Sequence, residues 1–496
     1  MRILYLDCDT TRPDHLGCYG YARPTSPHID RVAAEGVRFT RVYASDAPCL
    51  PSRTALSSGQ FGIRTGVVGH GGTTADRRPE GIGRRFADIT TRDNLASFLR
   101  REAGLRTVLF SPFAWRHSAW QFQAGFHEVV DTGGRGMESA EDVLPGVLDW
   151  LDRRGHADDW FLHVNLWDAH TPYRAPPAAG DPFADHPLPR WLTHEVLAHH
   201  RTLPGPHKPR ELNMWDNATD PRWPRHPGEL RDLADLRQLF DGYDTGIHWM
   251  DKHIGQLFAW LDAAGLWDDT AVIVSADHGE NMGELGIYAE HGTADDATCR
   301  VPLLLKWPGG RTGAVADGLH YALDLVPTLA ELLGCAPRTS WDGVSFAGAV
   351  TGSGDAGRSE LVLSQCAHVC QRSVRFDDCL YIRTWHDGFH LFPTEMLFDL
   401  STDPHEQHDL AQSRPEVCAE AAHRLLTWTD AALAKSGWAD DPLWQTLREG
   451  GPEHARGELA AYVRYLEVTD RGHWVAELRR RHPREFATVP VFYGPG

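Results

Sequence analysis

Short apolar runs that alternate with amphipathic segments constrain the fold of this 496-residue chain more than any other feature. Mostly apolar runs of strand length lie at residues 3–6, 107–110, 161–166, 271–274 and 301–306. Apolar residues at steps of three or four predict helices at residues 29–35, 93–103, 143–153, 230–265 and 322–333. Strands that alternate with helices predict an α/β fold with a large, mostly parallel mixed sheet flanked by helices.

Charge and cysteine content exclude several classes of partner. The net charge is −19, which argues against nucleic acid or an anionic membrane surface as a partner. Residues 1–9 are too short and too acidic for a signal peptide, and no apolar run of about 18 residues occurs, so we expect a cytoplasmic protein without a membrane segment. The nine cysteines are odd in number and scattered, which favours reduced thiols over disulfides.

Cys49 stands just before a short helix predicted at residues 52–58. The first turn of a helix presents unpaired N–H groups and the positive end of the helix dipole. Such a position suits a nucleophile that attacks an anionic ester, with Arg53 as a neighbouring cation. On these residues alone, a buried structural cysteine is an equally good interpretation.

Acidic residues follow two of the predicted strands. Asp7 and Asp9 are two positions apart, which places both carboxylates on one side of the first strand. Asp277 and His278 follow the strand at 271–274, and the carboxyl ends of parallel strands converge in the crevice where such folds bind ligands. Several carboxylate oxygens together suit Ca²⁺ or Mg²⁺, although such pairs are more often solvated strand ends or helix caps.

Five short motifs stand in sequence order along the chain, and the most specific is the run Cys49-Leu50-Pro51-Ser52-Arg53. This run resembles the Cys-x-Pro-Ser-Arg signature of the type I sulfatases, a family of the alkaline-phosphatase-like superfamily in which the motifs follow the same order. The other four resembling segments are residues 9–20, 168–173, 276–280 and 398–406. The resemblance covers roughly residues 2–412 and implies that a formylglycine-generating enzyme oxidises Cys49 to Cα-formylglycine. The hydrated aldehyde would be the nucleophile and a calcium ligand, and Arg53 would orient it.

The same resemblance implies a metal site. Asp9 matches the first metal ligand of the family, and Asp277 and His278 match its later ligand pair. Many relatives carry a second Asp or a Gln directly after the first Asp, whereas this chain has Thr10. Asp7 is therefore included as a candidate replacement ligand.

Candidate sulfate-binding groups depart from the family pattern. His170 matches a histidine that binds the sulfate or protonates the leaving group, and His291 stands where relatives usually carry a lysine. A histidine keeps the hydrogen-bond donor but makes the charge depend on pH. The Lys-x-His motif of the family is not evident, so Arg116, His117 and His70 are candidates for binding the substrate.

The resemblance implies metal-dependent hydrolysis of a sulfate ester, either of an anionic small molecule or of a saccharide. A phosphonate monoester or phosphodiester hydrolase with the same groups is the nearest alternative, because those enzymes carry fewer cations. A phosphomutase-like enzyme is disfavoured by Cys49, since its relatives use Ser or Thr. The chain could also be an inactive binder of sulfated ligands, but it retains the implied catalytic residues together.

We predict three parts of the chain. Residues 1–350 form the implied catalytic domain, which includes a Pro-, His-, Trp- and Arg-rich excursion over the surface at 171–229. The Gly-rich segment 351–357 is a linker to a small C-terminal α+β subdomain at 351–430. Its antiparallel sheet is predicted from strand-like runs at 373–376, 380–384 and 396–400. Residues 431–496 form an extension of unknown role.

Overall fold

A computed structural model describes residues 1–75, 94–436 and 440–488 of the chain. Its strands are β1 (Arg2–Cys8), β2 (Val37–Tyr43), β3 (Asp46–Ala47), β4 (Arg106–Phe110), β5 (Glu128–Val130), β6 (Trp160–Leu166), β7 (Thr270–Ser275), β8 (Asn281–Met282), β9 (Tyr288–Glu290), β10 (Arg300–Lys306), β11 (Ala314–Tyr321), β12 (Glu360–Gln365), β13 (Cys370–Phe376), β14 (Cys379–His386) and β15 (Glu395–Asp399).

The described α-helices include a long one between β6 and β7 and several short ones near the C-terminus. Their bounds are Pro27–Glu35, Cys49–Ser58, Gly62–Thr65, Leu95–Arg101, Phe113–His117, Ala140–Arg154, His194–His200, Leu233–Ala263, Asp296–Cys299, Leu325–Leu332, Ala347–Thr351, Pro415–Ser436, Pro442–Arg448, Leu459–Val468, Val475–Arg481 and Pro483–Thr488.

The main sheet has eight strands in the order β11-β2-β10-β7-β1-β6-β4-β5. Only β10 runs antiparallel to its neighbours β2 and β7, and the other pairs are parallel. This mixed, mostly parallel sheet confirms the predicted α/β class. It also places the carboxyl ends of β1, β6 and β7 side by side at one edge.

Side chains of β1 alternate between two apolar cores, as a strand buried on both faces requires. Leu4 and Leu6 pack in the core that contains the long helix Leu233–Ala263. Ile3 and Tyr5 face the opposite core, which contains the helix Leu325–Leu332. Helices therefore cover both faces of the sheet, as the sequence pattern predicts.

Two local predictions require correction. The helix expected at 52–58 begins at Cys49, because Pro48 is its N-cap and Gly59, with φ of 65°, ends it. The helix expected at 93–103 comprises Leu95–Arg101, with the Asn94 side chain accepting a hydrogen bond from the Ser97 N–H at 2.7 Å. Residue 93, the first residue of the expected helix, lies outside the described residues.

The sequence predicts that the excursion at 171–229 runs over the surface. The structure corrects this, because part of the excursion is buried. It contains the short helix His194–His200, and His207, Lys208 and Glu211 are buried. The Arg471 guanidinium contacts the Glu211 carboxylate at 2.8 Å, so the C-terminal part of the chain packs on the excursion. Buried charge of this kind requires a partner, which the distant C-terminal residue supplies.

A second sheet has the order β15-β14-β13-β12-β3. Strands β12 to β15 pair antiparallel, as predicted. The short strand β3 joins them in parallel, with Asp46 opposite Ser364 and Ala47 opposite Gln365. The second sheet thus pairs with the segment that directly precedes Cys49.

The division of the chain at residues 351 and 431 remains a prediction. Within the described ranges, no helix is both long and apolar enough to cross a membrane.

We expect the ion pair between Arg372 and Asp441 to anchor the C-terminal extension to the second sheet. Its two hydrogen bonds measure 2.6 and 2.7 Å, and both side chains are buried. Arg372→Ala leaves a buried carboxylate without its partner, which should cost about 3–5 kcal/mol and lower the urea midpoint measured by tryptophan fluorescence. As a matched control, Arg383→Ala removes a half-exposed pair with Glu395 and should cost less than about 1 kcal/mol. Equal effects of the two variants would contradict this anchoring role.

Candidate active site

Cys49 is the first residue of the helix Cys49–Ser58 and is only 1% exposed. Strand β3 leads the chain into this position at the N-terminus of the helix, where the positive end of the helix dipole lies. Its Sγ atom lies 3.1 Å from Nε2 of His278. The predicted nucleophile is therefore enclosed and next to a predicted metal ligand.

Asp9 and Asp277 come together because β1 and β7 are parallel neighbours. The register pairs Asp7 with Ser275, and continuing it by two residues brings Asp9 beside Asp277. The Thr10 N–H donates to Oδ1 of Asp277 at 3.2 Å, which links the two strand ends. Convergence at the carboxyl edge of the sheet is thus observed as predicted.

Arg53 lies among three buried carboxylates. One guanidinium nitrogen donates to Asp9 Oδ2 at 2.6 Å, and the other terminal nitrogen donates to Asp7 Oδ2. Its Nε is 3.1 Å from Asp277 Oδ2 but forms no hydrogen bond with it. His163 also contacts Asp7, with Nε2 at 3.1 Å from Oδ2. Arg53 therefore orients the carboxylates of both strand ends.

Four buried side chains form the group that fits a metal ion. Single donor atoms of Asp9, Cys49, Asp277 and His278 all lie within 4.8 Å of one another. Burial and the neighbouring Asp277 charge raise the pKa of Asp9 well above its usual range. A divalent cation would relieve this repulsion, and Asp277 Oδ2 is buried without a hydrogen bond. Asp7 lies outside this group and pairs with Arg53 and His163 instead.

The tautomer of His278 follows from its hydrogen bonds. Its Nδ1 lies 2.8 Å from the carbonyl oxygen of Gly279, so Nδ1 carries the proton in the neutral ring. The lone pair of Nε2 then faces Cys49 and the carboxylate group. Metal-binding histidines are commonly oriented by such a backbone hydrogen bond.

Arg116 reaches the site, as one of the three substrate-binding candidates. Its Nη2 is 3.2 Å from Nε2 of His170, and its guanidinium lies over the Trp167 ring at 5.2 Å. Nδ1 of His170 is 2.7 Å from the carbonyl of Thr171, so its Nε2 accepts from Arg116. Burial, Arg116 and His291 lower the pKa of His170 well below its usual range. Arg116 is thus the fixed cation of the pair, and His170 is neutral.

His291 lies between two carboxylates and beside the metal group. Its Nδ1 is 3.3 Å from Glu280 and its Nε2 is 3.1 Å from Glu290, while its ring centre is 4.2 Å from that of His278. Burial lowers the pKa of His291 to about 3, although Glu290 acts in the opposite direction. The imidazole is therefore neutral near pH 7 and does not replace the lysine charge of relatives.

His70 and His117, the other two substrate-binding candidates, lie beside each other, and His70 lies next to His454. The ring centres of His70 and His117 are 4.9 Å apart, and Nδ1 of His70 is 3.0 Å from Nε2 of His454. The ring of His368 stacks on that of His454 at 4.1 Å and lies 5.8 Å from His291. His368 and His454 were missed because no motif marks them. Glu290 could have been noticed, since it directly precedes His291.

The fold is similar to those of two solved structures. The phosphonate monoester hydrolase of Agrobacterium radiobacter aligns with a TM-score of 0.66 and 22% identity, covering 87% of this chain and 96% of that chain. BT4656, solved in complex with its substrate D-glucosamine-2-N,6-O-disulfate, aligns with a TM-score of 0.69 and 16% identity, covering 89% and 99%. Both likenesses concern the fold alone.

Sequence comparison identifies the family of the chain. The choline-sulfatase of Rhizobium meliloti (strain 1021) is 26% identical over 472 residues, which cover 86% of this chain and 87% of that protein. The family model described as Sulfatase matches residues 2–335, which include the strand ends and the helix that build the site. The predicted family is thereby confirmed, and the chain belongs to the sulfatases of the alkaline-phosphatase-like superfamily.

Proposed function

We propose that the protein hydrolyses a sulfate ester with a nucleophile made from Cys49. The observation that carries this proposal is the enclosed Cys49 side chain, which begins a helix and lies within 4.8 Å of donor atoms of Asp9, Asp277 and His278. Oxidation to Cα-formylglycine by a formylglycine-generating enzyme would supply a hydrated aldehyde, with one hydroxyl for attack and a second for release of sulfate.

Asp9, Asp277, His278 and residue 49 are the proposed ligands of one divalent cation. The two carboxylates favour Ca²⁺ or Mg²⁺, which would favour the ionised nucleophile and neutralise charge on the transferring group. Arg53 acts as a positioning residue, because it holds Asp9 and approaches Asp277. Asp7 keeps Arg53 in place rather than serving as a ligand.

The proposed proton transfers use two histidines that are neutral in the free enzyme. When Arg116 turns from Nε2 of His170 to the oxygens of a bound sulfate, the sulfate charge favours protonation of Nε2, which then donates its proton to the departing alcohol. His291 takes the proton from the second hydroxyl as sulfate leaves. Glu290 lies 3.1 Å from Nε2 of His291 and stabilises the cation that forms, whereas burial and Glu290 raise the pKa of Glu280, which lies 3.3 Å from Nδ1. Arg116 supplies the fixed positive charge for the sulfate oxygens.

An anionic small-molecule or saccharide sulfate ester is the proposed substrate. A structural relative in this fold was solved with a disulfated glucosamine as its substrate. A cytoplasmic location stays a prediction.

A phosphonate monoester hydrolase is the second candidate, because such an enzyme shares the fold. No lysine forms a hydrogen bond, ion pair or ring contact with Cys49, His170 or His291 in the part of the chain that the structure describes. A sulfate monoester and a phosphonate monoester both carry one negative charge near pH 7. A site with few fixed cations suits either monoanion better than a phosphate monoester dianion.

Side-by-side turnover of matched aryl esters tests the choice between the two reactions. We expect kcat/KM to be highest for the aryl sulfate, lower for the aryl phosphonate monoester and lowest for the aryl phosphate dianion. The same aryl leaving group in all three removes leaving-group effects. A higher kcat/KM for the phosphonate would replace the sulfatase proposal with the second candidate.

Cys49→Ala should abolish turnover and leave the fold intact, because the nucleophile is lost and little side-chain volume is removed. Cys49→Ser should also lack multiple turnover, since a serine ester has no second hydroxyl to expel sulfate. Intact-protein mass should show exchange of SH₂ for O in the parent and in Cys335→Ala, a control outside the site, and no such change in Cys49→Ala. Residual activity above about one per cent in Cys49→Ala contradicts the proposed nucleophile.

We expect His291→Ala to lower kcat/KM at every pH without changing the form of the curve of kcat/KM against pH. The free-enzyme imidazole is neutral well above its pKa of about 3, and a bound metal cation would lower that pKa further. Rising pH therefore removes no charge from His291 between about pH 5 and pH 9, and kcat/KM reports the free enzyme. We expect His291→Ala to lower kcat/KM by about 10²–10⁴ across this range. An alkaline limb present in the parent and absent from the variant would show that His291 acts as a cation.

A further inference from the structure

Three buried side chains outside the proposed Ca²⁺ or Mg²⁺ ligands meet from distant parts of the chain. His207 belongs to the excursion after β6, Glu290 ends β9, and His368 lies in the turn between β12 and β13. One nitrogen or oxygen atom from each lies within 4.8 Å of the other two, and all three residues are buried. Two imidazoles and one carboxylate in this arrangement are a typical donor set for a transition metal.

The orientation of His207 indicates that a cation belongs beside it. Its Nδ1 is 3.0 Å from the carbonyl oxygen of Leu212, so the proton of the neutral ring lies on Nδ1. Its Nε2 has no hydrogen-bond partner and faces Oε2 of Glu290 at 3.0 Å. A lone pair that faces a carboxylate oxygen at this distance is repelled unless a proton or a metal cation lies between them.

The backbone holds His207 in a position that is costly for a residue with a side chain. Its φ is 55°, in the left-handed region, where non-glycine residues are uncommon. Its carbonyl oxygen accepts a hydrogen bond from the Tyr288 N–H at 3.0 Å, which attaches the excursion to the strand that carries Glu290. Two contacts therefore hold the imidazole against the carboxylate. They are the hydrogen bond from Nδ1 to the carbonyl oxygen of Leu212 and the backbone hydrogen bond from Tyr288.

Gln365 positions the other two ligands. Its Oε1 accepts from the N–H groups of Ala367 and His368 at 2.8 and 3.0 Å, and its Nε2 donates to the carbonyl oxygen of His291 at 3.0 Å. The turn that carries His368 is thus tied to the residue that follows Glu290. Hydrogen bonds of this kind fix ligand geometry around protein metal sites.

The donor spacing is close to that around a small ion. A tetrahedral ion with bonds of about 2.0–2.2 Å has donors about 3.3–3.6 Å apart. Nε2 of His207 lies 3.0 Å from Oε2 of Glu290, slightly closer than this range, and Nε2 of His368 lies 3.6 Å from Oε1 of the same carboxylate. We propose that His207, Glu290 and His368 bind a first-row transition-metal ion such as Zn²⁺, at a second site beside the active site.

A metal ion at this place has a consequence for the neighbouring histidines. Glu290 contacts His291 as well as His207 and His368. The ion would put a fixed positive charge one residue from His291, which carries none itself near pH 7. Three protein ligands also leave a coordination position open for an oxygen of a second anionic or hydroxyl group on the substrate.

Metal binding by the Cys49→Ala protein tests this assignment. That background removes the thiol that would bind transition metals with His278 and His291. Chelator-treated protein saturated with Ca²⁺ is titrated with Co²⁺, followed by visible absorption and elemental analysis after desalting. We expect one Co²⁺ per chain, and at least tenfold weaker binding when His207→Gln or His368→Gln is added.

Two controls keep the outcome interpretable. His386→Gln removes a residue of another compact group, formed with His482 and Glu485, and should leave the Co²⁺ stoichiometry unchanged. Each variant must keep the far-UV circular dichroism spectrum and the metal-free Tm of Cys49→Ala, which report an intact fold. If a Gln variant fails this check, Glu290→Gln and a Zn²⁺-dependent rise in Tm replace it. Absence of Co²⁺ binding in Cys49→Ala, or unchanged binding in the His207 and His368 variants, overturns the assignment. Because Cys49 is already absent, either result is independent of the proposed sulfatase reaction.

Discussion

The contact of the Arg53 guanidinium with the carboxylates of Asp7, Asp9 and Asp277 is the interaction on which the site depends. All four side chains are buried, and parallel neighbours β1 and β7 force the carboxylates together. Three buried negative charges at this distance would repel one another strongly without a cation. Arg53 lies on the helix that begins at Cys49, so the residue that neutralises the strand ends also fixes Cys49, the proposed nucleophile, beside them.

Burial determines the charge state of the residues around that centre. His170 and His291 lie close to the carboxylate group, yet desolvation lowers the pKa of each. Neutral imidazoles are suited to moving protons, whereas they cannot supply a permanent charge to a sulfate oxygen. Arg116 keeps its charge and lies against His170, so a site with no lysine nearby among the described residues would still have a fixed cation for the proposed anionic substrate.

The second sheet contributes to the site through backbone pairing. Strand β12 pairs with β3, two residues before Cys49, and Gln365 at the end of β12 binds the carbonyl of His291. The turn that follows carries His368, and the C-terminal extension adds His454. A change in the packing of the C-terminal part would therefore alter the surroundings of Cys49, although more than 300 residues separate them in the chain.

Local sequence determined the elements and the motif residues of this protein. Apolar strands, helix periodicity and the run from Cys49 to Arg53 predicted the α/β sheet, the sulfatase family and the group of Asp9, Cys49 and Asp277, because these signals depend on residues a few positions apart. Tertiary structure alone decided which side chains from distant segments of the chain come into contact. It directed Asp7 to Arg53 and brought His207, Glu290 and His368 together, since strand order and burial determine which remote side chains meet and which of them carry charge.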